Sequence, residues 1–159
     1  YSTPAEARAT TSEDALGFMD KLPGATGRML AVESTLTLAG KGDAQSLAAA
    51  VRAFFTHWDE LEKRRKQTGT HVEPYGVAPY YVLYAHFRSA QAIELLSDAA
   101  ERDAWRVELR ARLARIEEPD GGWNDRVFPR SRSFGTAMGM LALLQKDLPA
   151  PARWSPPGR

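Results

Sequence analysis

Apolar residues recur along this chain at the three- to four-residue spacing of α-helices, and strand-like alternation is nearly absent. Runs rich in Ala, Leu, Arg and Glu dominate, and Gly and Pro fall between them as breaks. The pattern therefore predicts an all-α fold with six helices. Their predicted ranges are 13–22, 26–39, 44–66, 79–96, 101–116 and 133–148.

The predicted helices are of two kinds. Those over 44–66 and 101–116 are amphipathic, because each has one apolar stripe and a charged opposite face. Those over 26–39, 79–96 and 133–148 are apolar on nearly every side, which predicts burial on most sides. The two kinds alternate along the chain. This order predicts a curved stack of three helical hairpins, with buried helices inside and amphipathic helices outside.

Composition narrows the class of protein. The 159 residues fit one domain, assigned to residues 1–148, followed by a proline-rich extended tail over 149–159. The net charge of +1 gives no global reason to expect a nucleic-acid partner. Cysteine is absent, which removes disulfides, thiol catalysis and Cys-based zinc sites. No apolar run is long enough to span a membrane, no cofactor is predicted, and the compartment stays open between cytoplasm and export.

Residues 117–123 and 133–143 resemble the α/α-toroid proteins, which include squalene and terpene cyclases, protein prenyltransferase β subunits and bacterial relatives. Repeats of that family have a Gln-x-x-x-Gly-x-Trp turn, followed by a Gly-Thr-Ala start to the next inner helix. The matching residues are Glu117, with Glu in place of Gln, Gly121, Trp123 and Gly135. The resemblance covers roughly residues 24–148, and it implies that the three hairpins form half of an α/α toroid.

The turn at residues 120–123 also has a physical interpretation. Gly121 and Gly122 permit the positive φ of a tight reversal. Trp123 is expected to cover the turn and to bury a large apolar surface. Glu117 is expected to accept hydrogen bonds from backbone N–H groups at the start of the neighbouring helix. These are roles in stability.

A half ring would leave inner helices uncovered at its two ends, and exposed apolar surface of that kind usually meets a partner. We therefore expect self-association, or association with a missing N-terminal half. The catalytic signatures of the resembling enzymes are missing, since the chain has neither an Asp-x-Asp-Asp run nor a Cys zinc ligand. The chain is interpreted as a non-catalytic binding or scaffold domain. The alternative is a fragment of a cyclase- or prenyltransferase-type enzyme that acts on isoprenoid substrates.

Aromatic residues are densest at the start of the fourth predicted helix, where Tyr80, Tyr84 and Arg88 share one helical face. Such a face either lines a cavity for an apolar or planar ligand, or packs in the core. The ligand-binding candidates are Tyr75, Tyr80, Tyr84, His86, Arg88, Trp123 and Arg132.

Other polar groups favour structural roles. His71 and Glu73 form a His-x-Glu pair, but a polar loop is the simpler interpretation. The acidic residues around Asn124 do not match a calcium loop, so no metal site is predicted. The basic residues 63–66 suit the C-terminal end of a helix, and a nucleic-acid partner is unlikely on sequence grounds. Arg126, Arg130 and Arg132 are interpreted as a solvated loop, with anion binding as the alternative.

Overall fold

The computed structural model describes residues 21–152 and residue 154. This part of the chain has an all-α fold, as predicted, and contains no β-strand; an isolated antiparallel bridge joins Val72 and Val77. Most of the helix predicted over 13–22 lies outside the described residues, while Lys21 and Leu22 are not helical. The helices are α1 (Thr26–Leu38), α2 (Ala44–Thr56), α3 (Trp58–Glu62), α4 (Val82–Leu95), α5 (Ala99–Arg115) and α6 (Arg132–Leu144).

The helix ends largely follow the signals in the sequence. The side chains of Asp43 and Asp98 accept backbone N–H groups and cap the starts of α2 and α5, as expected for Asp at these positions. Pro79 begins a short 3₁₀ turn that leads directly into α4. The helix predicted over 44–66 is wrong in two respects: the backbone breaks at His57 and separates α2 from the short α3, and α3 ends at Glu62, so that residues 63–66 form a turn.

The helices form two layers. In the first, α4 lies between α1 and α6 and packs against both. In the second, α2 and α5 both pack against α4 and meet at the stacked rings of Phe55 and Trp105, whose centroids are 4.6 Å apart, while α3 follows α2. The core fills the space between the layers and contains Phe54, Trp58 and Ile93. The face of the α1–α4–α6 layer that points away from α2 and α5 is called the open face below.

Burial confirms part of the predicted division. Helices α2 and α5 each bury one side, and α4 is buried on most sides. The prediction is wrong for α6, which buries a narrow strip of Gly135, Gly139 and Ala142 while Met140 and Leu144 are exposed. It also overstates α1, where most side chains are half-buried. An apolar composition does not bury a helix when the described chain has no neighbour to cover its outer side.

A short 3₁₀ turn, Gln145–Asp147, follows α6. Residues 149–152 are non-helical and exposed, and the backbone N–H of Trp154 donates to the carbonyl of Leu38 at 3.1 Å. This segment therefore crosses from α6 to the C-terminal end of α1. Among the described helices, none has the length and apolar character needed to cross a bilayer.

Candidate binding site

A stripe of aromatic side chains runs along the open face from the start of α4. The rings of Tyr80 and Tyr81 lie 4.6 Å apart between centroids, and Tyr81 lies 6.4 Å from Tyr84. Further along, the Arg88 Nε–H donates to the Tyr84 hydroxyl oxygen at 2.9 Å. Tyr80, Tyr84 and Arg88 therefore line one half-buried face, as their spacing predicts.

His71 fixes the loop end of this stripe. Its Nδ1–H donates to the carbonyl of Gly76 at 3.2 Å, which leaves Nε2 as an acceptor for the hydroxyl of Tyr80 at 3.1 Å. The left-handed backbone of His71, with φ of 52°, directs the loop back toward α4. The polar-loop interpretation of His71 therefore agrees with the contacts, and the imidazole orients Tyr80.

Arg126 lies beside the same tyrosine. Its guanidinium carbon is 5.4 Å from the centroid of the Tyr80 ring and 5.4 Å from that of Phe134. Arg126 therefore bridges the first residues of α4 and α6 by cation–π contacts. Arg130 makes a similar contact with Phe128, at 5.2 Å.

Tyr80 and Arg126 line a cleft of about 240 Å³ at the edge of the open face. One wall is the loop 67–70, and the other is the segment 126–128, with Pro79 between them. The lining is largely apolar on the 126–128 side, where Val127 and Phe128 are exposed. This cleft and the adjoining aromatic stripe form the candidate binding site.

Both walls of the cleft are anchored by the basic run. The guanidinium of Arg64 donates to the carbonyls of Val77 and Thr68, which shapes the loop between them. The backbone N–H of Lys66 donates to the carbonyl of Asp125 at 2.9 Å and so joins the two walls. Lys63 pairs with Glu60. These cations therefore hold the protein's own loops together.

Asp125 is the buried support of the second wall. Its Oδ2 accepts the backbone N–H of Leu83 at 3.1 Å, at the start of α4. Burial raises the pKa of the Asp125 carboxyl, while the Leu83 N–H and the charge of Arg126 oppose that rise. The carboxylate thus holds the cleft against α4, in line with the predicted turn and capping roles for this acidic segment.

His86 does not belong to the site, which corrects its place among the ligand-binding candidates. It is fully buried between the layers, where its Nε2 accepts the indole N–H of Trp58 at 2.8 Å. Its Nδ1–H donates to the carbonyl of Val82 at 2.7 Å. Desolvation lowers the pKa of His86 to about 4, so the imidazole is neutral at pH 7. It is a core residue with both nitrogens satisfied.

Trp123 is likewise a packing residue and not a ligand contact. It is buried, and its indole N–H donates to the carbonyl of Leu113 at 2.9 Å. Its ring lies flat against α6 at Gly139, where an added Cβ would sit 2.8 Å from the ring. Gly135 has no room for a Cβ either, because the Trp123 carbonyl oxygen would lie 2.5 Å away. Gly121 has the expected positive φ, 80°.

Glu117 does not have its expected role among the described residues, and its neighbour makes a different contact. Glu117 is exposed, and its carboxylate makes no hydrogen bond to any described residue. The carboxylate of Glu118 instead pairs with Lys66 at 2.6 Å and with Arg65 at 3.4 Å. The anchor is thus a salt bridge to the end of the α3 segment, because Glu118 and not Glu117 faces the basic run.

Two further candidates lie away from the cleft. Arg132 contacts the turn between α5 and α6, where its Nη2 donates to Oδ1 of Asp120 at 2.6 Å. Tyr75 borders a separate open depression of about 600 Å³ beside α3. That depression is lined mainly by charged residues such as Glu60 and Lys63, which pair with each other. It offers little apolar surface to a ligand.

Sequence reasoning missed several residues of the site. Tyr81, Phe128 and Phe134 are not among the ligand-binding candidates, and Arg126 is interpreted from the sequence as part of a solvated loop, with anion binding as the alternative. The alternation of arginine and phenylalanine over 126–134 was the available signal, because such pairs stack in folded proteins.

The described residues include no group of three His, Asp or Glu side chains placed to hold a metal ion. Comparison with known proteins adds no assignment. No family model, no curated protein and no solved structure matches this chain.

Proposed function

We propose that this chain is a non-catalytic binding domain that takes up a small apolar ligand in the cleft between residues 67–70 and 126–128. One observation carries the proposal: two exposed apolar side chains line a concave site. Val127 is 43% exposed and Phe128 is 51% exposed, and both belong to the wall of the cleft. Apolar surface gathered at a concave site is typical of ligand binding.

The relation to the α/α-toroid family is part of this proposal. It is supported by the turn at Gly121 and by the close packing of Trp123 on Gly139, which give the motif a structural purpose. Inner helices of such folds surround the ligand cavity. The aromatic stripe of α4, with Tyr80 and Tyr84, lies on the open face where that cavity would be.

The proposal is tested by titrating the full chain with naphthamide, a neutral apolar probe, in a calorimeter. We expect saturable one-to-one binding that weakens several-fold in Val127→Ser, because that side chain lines the cleft. The matched control is Val107→Ser, which makes the same change at an exposed valine of α5. Equal affinities in both variants, or no saturable binding to the unaltered chain, would contradict the proposal.

A further inference from the structure

We propose that the ligand of the cleft is an organic anion: a small carboxylate with an apolar body, whose carboxylate pairs with Arg126 while the body contacts Val127 and Phe128. This inference rests on the proposed function and adds the charge of the ligand. It follows from the hydrogen bonding of the Arg126 guanidinium, from the distance between Asp125 and Arg126, and from the size of the cleft.

Arg126 differs in its hydrogen bonding from three other arginines, whose guanidinium groups are held by oxygens of the protein. The guanidinium groups of Arg64, Arg88 and Arg132 donate to protein oxygens. In contrast, the guanidinium of Arg126 donates to no described residue, and its Nε is buried without a partner. Two aromatic rings hold it in place at the cleft. A guanidinium has five N–H donors, and a carboxylate accepts two of them side by side.

Asp125 is the nearest acidic side chain, and it pairs with Arg126 only at the limit of ion-pair distance. Oδ1 of Asp125 is 4.0 Å from Nε of Arg126, which is beyond hydrogen-bond distance, and its other oxygen accepts the Leu83 N–H. Asp125 is also enclosed, whereas the side chain of Arg126 is 38% exposed. The outer side of the guanidinium therefore remains open to an anion from solution.

The rest of the cleft indicates what the anion is attached to. A volume of about 240 Å³ is small for a ligand site, so the body is limited to one or two rings or a short chain. The ring of Tyr80 and the side chain of Phe128 line this space and favour a flat body. Thr68 and Thr70 belong to the opposite wall, which is more polar.

The test compares naphthoate with naphthamide, which share an apolar body and differ in charge. Affinities of the full chain for both are measured by calorimetry, and the ratio of the two is the readout. We expect naphthoate to bind about tenfold more tightly or better, as for a hydrogen-bonded charge pair. In Arg126→Gln the ratio should fall to about one, since the variant loses the charged contact that naphthoate makes and naphthamide does not. Arg52→Gln, on the exposed side of α2, is the matched control and should keep the ratio.

Each outcome decides the inference. A ratio near one in the unaltered chain, or a ratio that Arg126→Gln does not change, overturns the anionic ligand but leaves an apolar ligand in place. Absence of binding for both probes overturns the proposed function as well. Inorganic phosphate that competes as strongly as naphthoate overturns the apolar body. If Arg126→Gln does not fold, Phe128→Ala supplies the second test. This variant should bind both naphthoate and naphthamide more weakly but keep the ratio of the two affinities. A ratio near one would contradict the pairing with Arg126.

Discussion

His86 and Tyr84 stand two positions apart on α4, and the helix turns about 200° between them. One side chain therefore faces the core while the other lies on the open face. Because of this rotation, His86 and Tyr84 cannot contact the same ligand from one face of α4. The helical period was enough to separate them, whereas the hydrogen bond to Trp58 depends on α3 and could not be seen locally.

Acid should destabilise the protein through His86. Its pKa is lowered to about 4 in the folded chain, against an ordinary value of 6.5, so the unfolded chain binds the proton more readily. The contribution of the neutral imidazole is complete above pH 6.5 and is lost as the pH falls toward 4. The free energy of unfolding should decline by at most about 1.4 kcal/mol for each pH unit in that window.

The measurement is denaturant unfolding at a series of pH values. In His86→Gln the free energy of unfolding should depend much less on pH between 6.5 and 4. In the control His57→Gln, at a half-buried residue between α2 and α3, the pH dependence should be unchanged. The raised pKa of Asp125 acts in the opposite direction at acidic pH, because the folded chain favours its protonated form. A slope that is equal in the two variants would contradict the assignment to His86.

At the scale of elements, the turn between α5 and α6 shows what local sequence specifies. Gly121 adopts the positive φ of this turn, as its residue type predicts. At the other end of α5, the cap by Asp98 likewise follows from residue type alone. The identity of the acidic anchor, Glu118 instead of Glu117, depends on where Lys66 arrives from another hairpin. Sequence periodicity does not contain that information.

Removing the indole of Trp123 should loosen the joint between α5 and α6. The ring is buried against Gly139, and its N–H donates a hydrogen bond to the carbonyl of Leu113. Trp123→Ala should therefore lower the free energy of unfolding by about 3 kcal/mol or more. The control is Trp154→Ala, whose side chain is 60% exposed and whose backbone bond to Leu38 is retained. Similar melting of the two variants in circular dichroism would show that Trp123 does not hold this joint.

For the whole molecule, the all-α architecture could be predicted because helical periodicity is strong throughout. The candidate cleft could not, because Gln67 and Phe128 lie far apart in sequence and meet only through the packing of α4. The expectation of association stays a prediction. The exposed side of α6, with Met140 and Leu144, is where we expect a second copy to pack.

Sedimentation over a range of concentrations tests this association. The double variant Met140→Lys, Leu144→Lys should shift the population toward the monomer, because it places two charges in the apolar contact. Val107→Lys on α5 should leave the sedimentation profile unchanged. A monomer at every concentration of the unaltered chain would rule out self-association.

The backbone hydrogen bond between Lys66 and Asp125 closes the cleft by joining two stretches of chain that lie far apart in sequence. A compound that occupies the cleft therefore binds the native state and finds no equivalent site in the unfolded chain. By mass action, such a compound shifts the folding equilibrium and raises the melting temperature. The rise in melting temperature can therefore be used to rank unrelated small molecules by how strongly they bind the cleft. Such a screen needs neither an enzymatic assay nor a labelled partner.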